Sequence, residues 1–279
     1  MPDIGFVNGR FMSLEEAAIP LEDRGFQFGD GVYEVVRTYS GAPFQLNAHL
    51  ARLERSARAI ELPNPFSVAE WREFVHEGIR LSGYHESKVY IQLTRGVAPR
   101  DHVFPSEIRP TAVMTIRAMR PLDPVLRSTG VGVITMEDFR WGRCDIKCIN
   151  LLPNVMARQR AKLAGAFEAI FVHGGLITEG AVSNIMLVRD GVLLTPPENE
   201  RILAGVTRAV VLELARKEGV PVREQPITLQ ELSDADEIFL TGTTVEVLPV
   251  VRVDQTWVAT GKPGPLAEKL GTHFRTLAE

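Results

Sequence analysis

The chain has 279 residues, of which 45% are hydrophobic and 24% are charged, and its formal net charge is −4. This composition is typical of a globular protein that is long enough to bury a large core. It contains no basic block and no long apolar run, which argues against nucleic acid and membrane as partners. We expect a cytoplasmic protein, because residues 1–5 lack the basic start of a signal peptide.

The two cysteines, Cys144 and Cys148, are too few for a disulfide framework or a complete structural zinc site. We interpret them as small buried apolar residues rather than as a redox pair. We therefore predict no metal site.

The first 118 residues are predicted to form one domain of short strands and two helices. Asn47 caps a helix whose apolar stripe runs to Ile60, and Ser67 to Glu70 form a capping box that opens a second helix. The glycine-rich loop at 25–31 precedes a strand rather than a helix, so it is not a phosphate loop. The predicted strands are residues 4–7, 10–12, 32–38, 88–95 and 111–116.

Residues 119–124 contain two prolines and are predicted to be a linker to a second domain, residues 125–279. Strands are predicted at 131–136, 167–172, 184–188 and 237–240, with helices at 153–165 and 207–217 and a last helix near the C-terminus. Mixed strands and helices in two domains indicate an α/β or α+β fold.

Lys147 lies in a mostly apolar stretch, residues 144–150, which we predict to be a strand. Lysine avoids burial, and a desolvated amine that loses its proton becomes a nucleophile and a base. The alternative is an edge-strand lysine whose amine reaches solvent. This stretch alone does not decide between the two interpretations.

A pyridoxal phosphate site needs a lysine to form an imine and an acid to keep the ring nitrogen protonated. Lys147 and Glu179 match these two needs. Phosphate binding needs a third group of residues, and a helix N-terminus near Thr207 and the guanidinium of Arg52 match it. Taken singly, these are weak signals, because such a glutamate is usually an ordinary loop carboxylate (Glu179), such a threonine a helix cap (Thr207) and such an arginine a solvated helix residue (Arg52).

Several blocks of sequence together resemble the class IV (fold type IV) pyridoxal-phosphate aminotransferases, and among them the D-amino acid aminotransferases. The blocks follow the family order at residues 22–36, 93–96, 99–105, 140–147, 178–180, 243–244 and 246–250. The resemblance implies a two-domain fold with the cofactor, pyridoxal 5'-phosphate, between the domains. It also implies that the C-terminal domain carries the Schiff-base lysine and that the protein is a homodimer.

The resemblance assigns a role to individual residues of this chain. Lys147 is the Schiff-base lysine and proton shuttle, and Glu179 pairs with the pyridine nitrogen. The other implied cofactor-binding residues are Arg52, Leu203, Val206, Thr207, Gly242 and Thr243. The implied substrate-binding residues are Tyr33, Arg100, His102 and Thr244.

The resemblance also carries expectations about the homodimer interface and about residues around the site. Arg100 and His102 are expected to grip the substrate carboxylate across the homodimer interface, the alternative being a mobile basic loop. His49 is expected to support the site from a second layer of residues, the alternative being an ordinary hydrogen-bonded helix histidine. Gly242 and Ala181 stand where serine is common in the family, a departure that we expect to affect cofactor affinity modestly.

The implied reaction is D-amino acid:2-oxo acid transamination, in which D-alanine gives its amine to the cofactor and 2-oxoglutarate accepts it as D-glutamate. The alternatives within the class act on L-branched-chain amino acids, (R)-amines or 4-amino-4-deoxychorismate. The pair Arg100 and His102 and the segment 33–35 argue against them. A cofactor-free binding protein is a third alternative, against which the intact Lys147 and Glu179 argue.

Overall fold

A computed structural model describes residues 2–279, and the chain divides into two compact units. Unit 1 comprises Met1–Arg120 and Ile146–Asn150, and unit 2 comprises Pro121–Asp145 and Leu151–Glu279. Both units combine a β-sheet with helices, so the predicted mixed α/β class is confirmed.

Lys147 belongs to unit 1, although we predicted that the C-terminal domain would carry it. The reason is backbone pairing. The amide of Tyr33 donates to the carbonyl of Lys147 at 2.9 Å, and the amide of Ile149 donates to the carbonyl of Gly31 at 3.0 Å. The predicted lysine strand is also wrong, because only an isolated bridge between Val32 and Cys148 forms there.

Unit 1 is built on a six-stranded antiparallel sheet in the order β2-β1-β6-β5-β3-β4. The strands are β1 Ile4–Val7, β2 Arg10–Ser13, β3 Gly31–Tyr39, β4 Ala42–Pro43, β5 Ser87–Thr94 and β6 Thr111–Ala118. The helices are α1 Arg24–Phe28, α2 Leu46–Ala59 and α3 Val68–Ser82. The pairing of β3 with β5 places Gly31 opposite Thr94, so the start of β3 lies beside the end of β5.

Of the two helix caps predicted in unit 1, one is present and one is not. The predicted capping box at Ser67 and Glu70 is present and opens α3. The predicted cap at Asn47 is wrong, because α2 begins earlier, after Gln45 in a left-handed conformation. The side chain of Asn47 instead accepts a hydrogen bond from Arg72. Within the predicted loop at 25–31, the short helix α1 forms after Asp23 caps it.

Unit 2 is built on a mixed sheet in the order β12-β11-β10-β13-β14-β7-β8-β9, with β15 paired to β14. The strands are β7 Val131–Glu137, β8 Glu168–His173, β9 Leu176–Gly180, β10 Asn184–Arg189, β11 Val192–Thr195, β12 Val222–Glu224, β13 Glu237–Gly242, β14 Glu246–Val253 and β15 Thr256–Trp257. The helices are α4 Pro124–Thr129, α5 Leu152–Leu163, α6 Val206–Lys217, α7 Leu229–Ser233 and α8 Pro265–Ala278. Strand β7 runs parallel to both β8 and β14.

Hydrophobicity is distributed as in a folded sheet-and-helix protein rather than along one long apolar helix. None of the helices within residues 2–279 combines the length and the hydrophobicity that a bilayer crossing requires.

Trp71 on α3 is the largest fully buried side chain of the unit 1 core and is packed among aromatic rings. Its ring centroid lies 5.3 Å from that of Phe66 and 6.1 Å from that of Phe6. We predict that Trp71→Ala lowers the free energy of unfolding by about 3–5 kcal/mol, because it leaves a cavity. Urea denaturation measures this loss.

The matched control is Trp257→Ala, because the Trp257 side chain is 62% exposed. It should change the free energy of unfolding by less than about 0.5 kcal/mol. Equal losses from the two substitutions would contradict the assigned core.

Candidate active site

Lys147 lies on an irregular segment that is fastened to β3 and α2 of unit 1. Its amide donates to Ser56 Oγ at 3.2 Å, and its Nζ lies 4.2 Å from the centroid of the Tyr33 ring. Lys147 is half-buried. It is therefore neither a fully desolvated amine nor an edge-strand lysine that is fully exposed to solvent. The ring of Tyr33 faces the amine, and a cation is attracted to such a ring. The structure thus brings two predicted site residues, Lys147 and Tyr33, into contact.

A buried carboxylate, Glu34, organises the other two predicted residues of this region. It accepts from Arg52 Nε at 2.6 Å, from Arg52 Nη2 at 2.9 Å, and it contacts His49 Nδ1 at 2.8 Å. All three side chains are buried. Arg52 is therefore not the solvated helix arginine of the alternative interpretation, and His49 is buried and hydrogen-bonded.

The burial and the charges of these three side chains shift the pKa values of Glu34 and His49. Burial opposes ionisation of Glu34, but the charge and hydrogen bonds of Arg52 and His49 lower its pKa to about 2. Burial lowers the pKa of His49, an effect that its bond to Glu34 only partly offsets and that the charges of Arg52 and Lys147 reinforce. The result is an ionised Glu34 that holds the Arg52 guanidinium by two bonds.

The predicted carboxylate-binding residues lie on an exposed loop of unit 1. The Arg100 guanidinium carbon is 4.7 Å from the centroid of the Phe28 ring, and the His102 ring is 5.3 Å from it. The structure thus brings Arg100 and His102 together at Phe28. Sequence reasoning missed the buried Arg24, which bonds to the backbone of this loop, although Arg24 stands in the family-like block at 22–36.

In unit 2 the buried Glu179 is surrounded by hydrogen-bond donors. Its Oε1 accepts from Arg140 Nη1 at 2.5 Å, and its Oε2 accepts from Asn184 Nδ2 at 3.1 Å and from the Leu203 amide at 3.0 Å. Donors to both oxygens favour the ionised carboxylate. Glu179 and Leu203, two predicted cofactor residues, are therefore in direct contact.

Arg140 is the cation that balances Glu179, and sequence reasoning assigned it no role. Its guanidinium also bonds to Asp138 through Nε at 2.9 Å and Nη2 at 2.8 Å, and it lies 4.4 Å from the centroid of the Phe171 ring. Burial opposes its charge, but the bonds to Asp138 and the charge of Glu179 raise the pKa of Arg140 above its ordinary value. The guanidinium is therefore a fixed positive charge.

The N-terminus of α6 carries the predicted phosphate-binding residues Val206 and Thr207, both buried. Gly205 precedes the helix, and its first turn holds no acidic side chain. A Cβ at Gly205 would collide with the side-chain oxygen of Asn184, so the close approach requires glycine. Free amides and the dipole at such a helix start favour an anion.

Gly242 is the last residue of β13, Thr243 and Thr244 follow it in the turn to β14, and all three are partly exposed. Thr241, one residue earlier, pairs with Asn184 on β10. A Cβ at Gly242 would meet its nearest atom, in Val245, at an ordinary 3.4 Å. The departure from serine at this position is therefore not forced by lack of space.

Comparison with known proteins identifies the family of this chain. The family model described as amino-transferase class IV matches residues 31–253, so the chain belongs to that family, as its sequence blocks predicted, and it is an aminotransferase. It is 43% identical over 266 residues to the D-alanine aminotransferase of Bacillus licheniformis, covering 95% of this chain and 93% of the relative. It is 41% identical over 276 residues to the enzyme of that name from Staphylococcus haemolyticus, covering 98% and 97%.

Solved structures show the same fold. The branched-chain amino acid aminotransferase of Escherichia coli superimposes with a TM-score of 0.93 at 27% identity, covering 99% of this chain and 95% of that one. The branched-chain aminotransferase of Thermoproteus uzoniensis, solved with norvaline, gives a TM-score of 0.89 at 28% identity, covering 99% and 94%. The predicted fold type IV architecture is confirmed.

The low pKa of Glu34 makes a prediction about stability. Because the folded pKa of about 2 lies below the ordinary value of 4.5, the stabilisation is complete above pH 4.5 and is lost as the pH falls toward 2. Between these limits wild type should lose on the order of 3 kcal/mol more unfolding free energy than Glu34→Gln. Urea midpoints measured at several pH values check this, and parallel pH profiles would contradict it.

Proposed function

We propose that this chain is a D-amino acid:2-oxo acid aminotransferase that moves the amino group of D-alanine to 2-oxoglutarate, using pyridoxal 5'-phosphate. The observation that carries the proposal is the similarity, along nearly the whole chain, to relatives named D-alanine aminotransferase. The loop bearing Arg100 and His102 adds to it, because a guanidinium and an imidazole offer hydrogen-bond donors that suit a carboxylate.

The donor set of this chain fits the cofactor. Pyridoxal 5'-phosphate, when bound, supplies an aldehyde that captures amines and a ring that accepts electrons. Lys147 offers the amine, and the buried ionised Glu179 is the partner for a protonated ring nitrogen. The uncapped start of α6 at Val206 and Thr207 offers amides to the phosphate.

Further residues complete the proposed cofactor site. Arg52 supplies a guanidinium whose orientation Glu34 fixes. Leu203 would pack against the cofactor ring, and Gly242 and Thr243 would help to hold its phosphate.

The residues of the chain have distinct tasks in the reaction. Lys147 Nζ would accept the proton from the substrate Cα and hold it for return. Tyr33 lies against that amine and limits where it can move. Arg100 and His102 hold the α-carboxylate, and Thr244 contacts the substrate. A fixed carboxylate position and a lysine on one face together allow only one enantiomer to present its Cα hydrogen.

We also propose a homodimer in which Arg100 and His102 serve the neighbouring copy. The loop adjoins the segment 20–26, because the Ala98 amide donates to the Glu22 carbonyl at 3.2 Å. Large apolar side chains are exposed on both segments, and exposed apolar clusters mark interaction surfaces. They are Leu21, Phe26, Val97 and Val103.

The first test mixes the cofactor-loaded protein with D-alanine and, separately, with L-alanine. We expect D-alanine alone to convert the visible absorption of the bound cofactor to that of the pyridoxamine form, and 2-oxoglutarate to reverse the change. The matched control is Lys147→Ala, which removes the amine together with its methylene chain and should abolish turnover.

Another outcome of this test would support a second candidate function. The similarity in fold to branched-chain aminotransferases favours L-branched-chain amino acids as alternative donors. Conversion by L-leucine and not by D-alanine would contradict the D-amino acid proposal and support that alternative.

The second test concerns the proposed ring-nitrogen partner. Glu179→Gln replaces a negative charge by a neutral amide, so we expect kcat with D-alanine to fall by roughly 100-fold while cofactor remains bound. Stopped-flow absorption measures the rate of proton transfer.

The matched control is Glu237→Gln, another buried carboxylate of unit 2, which accepts from the Leu266 and Ala267 amides at the start of α8. It should reduce stability and leave kcat nearly unchanged. An unaltered kcat in Glu179→Gln would remove this residue from its proposed role.

A further inference from the structure

The loop that carries Arg100 and His102 is fastened by its backbone to a single buried side chain, Arg24. The Arg24 Nη1 donates to the carbonyl of Asp101 at 2.5 Å and to that of Val103 at 3.3 Å. Its Nη2 donates to the carbonyl of His102 at 3.5 Å. The carbonyls of three successive residues in an exposed segment therefore accept from the guanidinium of Arg24, a residue that is 3% exposed.

Arg24 is itself held by a carboxylate. Its Nε donates to Asp30 Oδ2 at 2.8 Å, and the same oxygen accepts from Arg95 Nε at 2.9 Å. One negative charge thus fixes two arginines that are almost fully buried. The guanidinium of Arg24 is left with its Nη groups turned toward the loop.

Arg95 fastens the far end of the same loop. Its Nη1 and Nη2 donate to the carbonyls of Glu61 and Ile60 at 3.0 Å and 2.7 Å. Its guanidinium carbon lies 3.6 Å from the centroid of the Phe104 ring. The two arginines therefore hold adjacent parts of the segment from Asp101 to Phe104.

The ring of Phe28 links this anchor to the two side chains that are proposed to bind substrate. Arg24 lies 4.8 Å and Arg100 lies 4.7 Å from the ring centroid, and the ring of His102 is 5.3 Å away. Backbone fixation and stacking on one ring together limit the positions of Arg100 and His102. Exposed arginine and histidine side chains on an unfastened loop would lose more conformational entropy when they bind a carboxylate.

We propose that Arg24, oriented by Asp30, is the positioning residue that holds Arg100 and His102 ready for the substrate α-carboxylate. The inference rests on the proposed function, because it assumes that these two side chains bind that carboxylate. Lysine cannot replace Arg24, because a single ammonium lacks the planar fork that reaches Asp30 and three carbonyls at once.

The experiment compares Arg24→Lys with Arg24→Met in the cofactor-loaded protein. We expect KM for D-alanine and for 2-oxoglutarate to rise about 10-fold in both variants, while kcat changes less than about threefold. In the Arg100→Ala, His102→Ala double variant, adding Arg24→Lys should raise KM no further, because Arg24 acts through those residues. The cofactor absorption should stay as in wild type.

A second measurement is independent of activity and covers a variant that folds poorly. Thermolysin cuts on the amino side of Val103 when this loop opens, and mass spectrometry locates the cut. We expect both Arg24 variants to be cut there several-fold faster than wild type. The matched control is Arg109→Met, which removes an 87% exposed arginine side chain near the loop and should alter neither KM nor the cutting rate.

The outcomes separate this proposal from the proposed function. Wild-type rates of cutting in Arg24→Lys would overturn the anchor. Faster cutting with an unchanged KM would overturn the link between the anchor and substrate binding. Wild-type protein that ignores D-alanine would contradict the proposed function alone, and the cutting rates would still decide whether Arg24 holds the loop.

Discussion

Three parts of the candidate site of this aminotransferase each depend on a buried or nearly buried carboxylate that an arginine balances within hydrogen-bond distance. The three pairs are Glu34 with Arg52, Glu179 with Arg140, and Asp30 with Arg24. Removing one partner from a buried pair leaves an uncompensated charge and costs about 3–5 kcal/mol, whereas the intact pair adds little net stability. The pairs are therefore best understood as devices that fix the direction of a guanidinium or a carboxylate.

Each pair directs a different group. Glu34 orients the Arg52 guanidinium, which we propose as a phosphate ligand. Arg140 does the reverse, since it keeps Glu179 ionised and in place as the proposed partner of the ring nitrogen. Asp30 orients Arg24 toward the backbone carbonyls of residues 101–103. A network with directed charges needs no reorganisation when a charged ligand arrives, and such preorganisation favours catalysis.

Local sequence patterns anticipated local structure well. The predicted capping box at Ser67 is present, and strand β1 forms at the predicted residues 4–7. Patterns failed where tertiary contacts decided the conformation. The apolar stretch around Lys147 is typical of a strand, yet its backbone bonds to Ser56 and Tyr33 hold it irregular. Local propensity yields when distant groups supply the backbone hydrogen bonds.

The sequence by itself determined the family, the mixed α/β class, and the identity of Lys147 and Glu179 as candidate residues. Only the tertiary structure decided their partners. Arg140 lies 39 residues from Glu179, and Arg24 lies 77 residues from Asp101. Such pairs depend on which strands are neighbours and on their register. The register of β3 with β5 places the start of β3 beside the end of β5, so that Asp30 contacts Arg95. A pattern in one segment does not specify the register of another, because pairing is set by packing of the whole sheet.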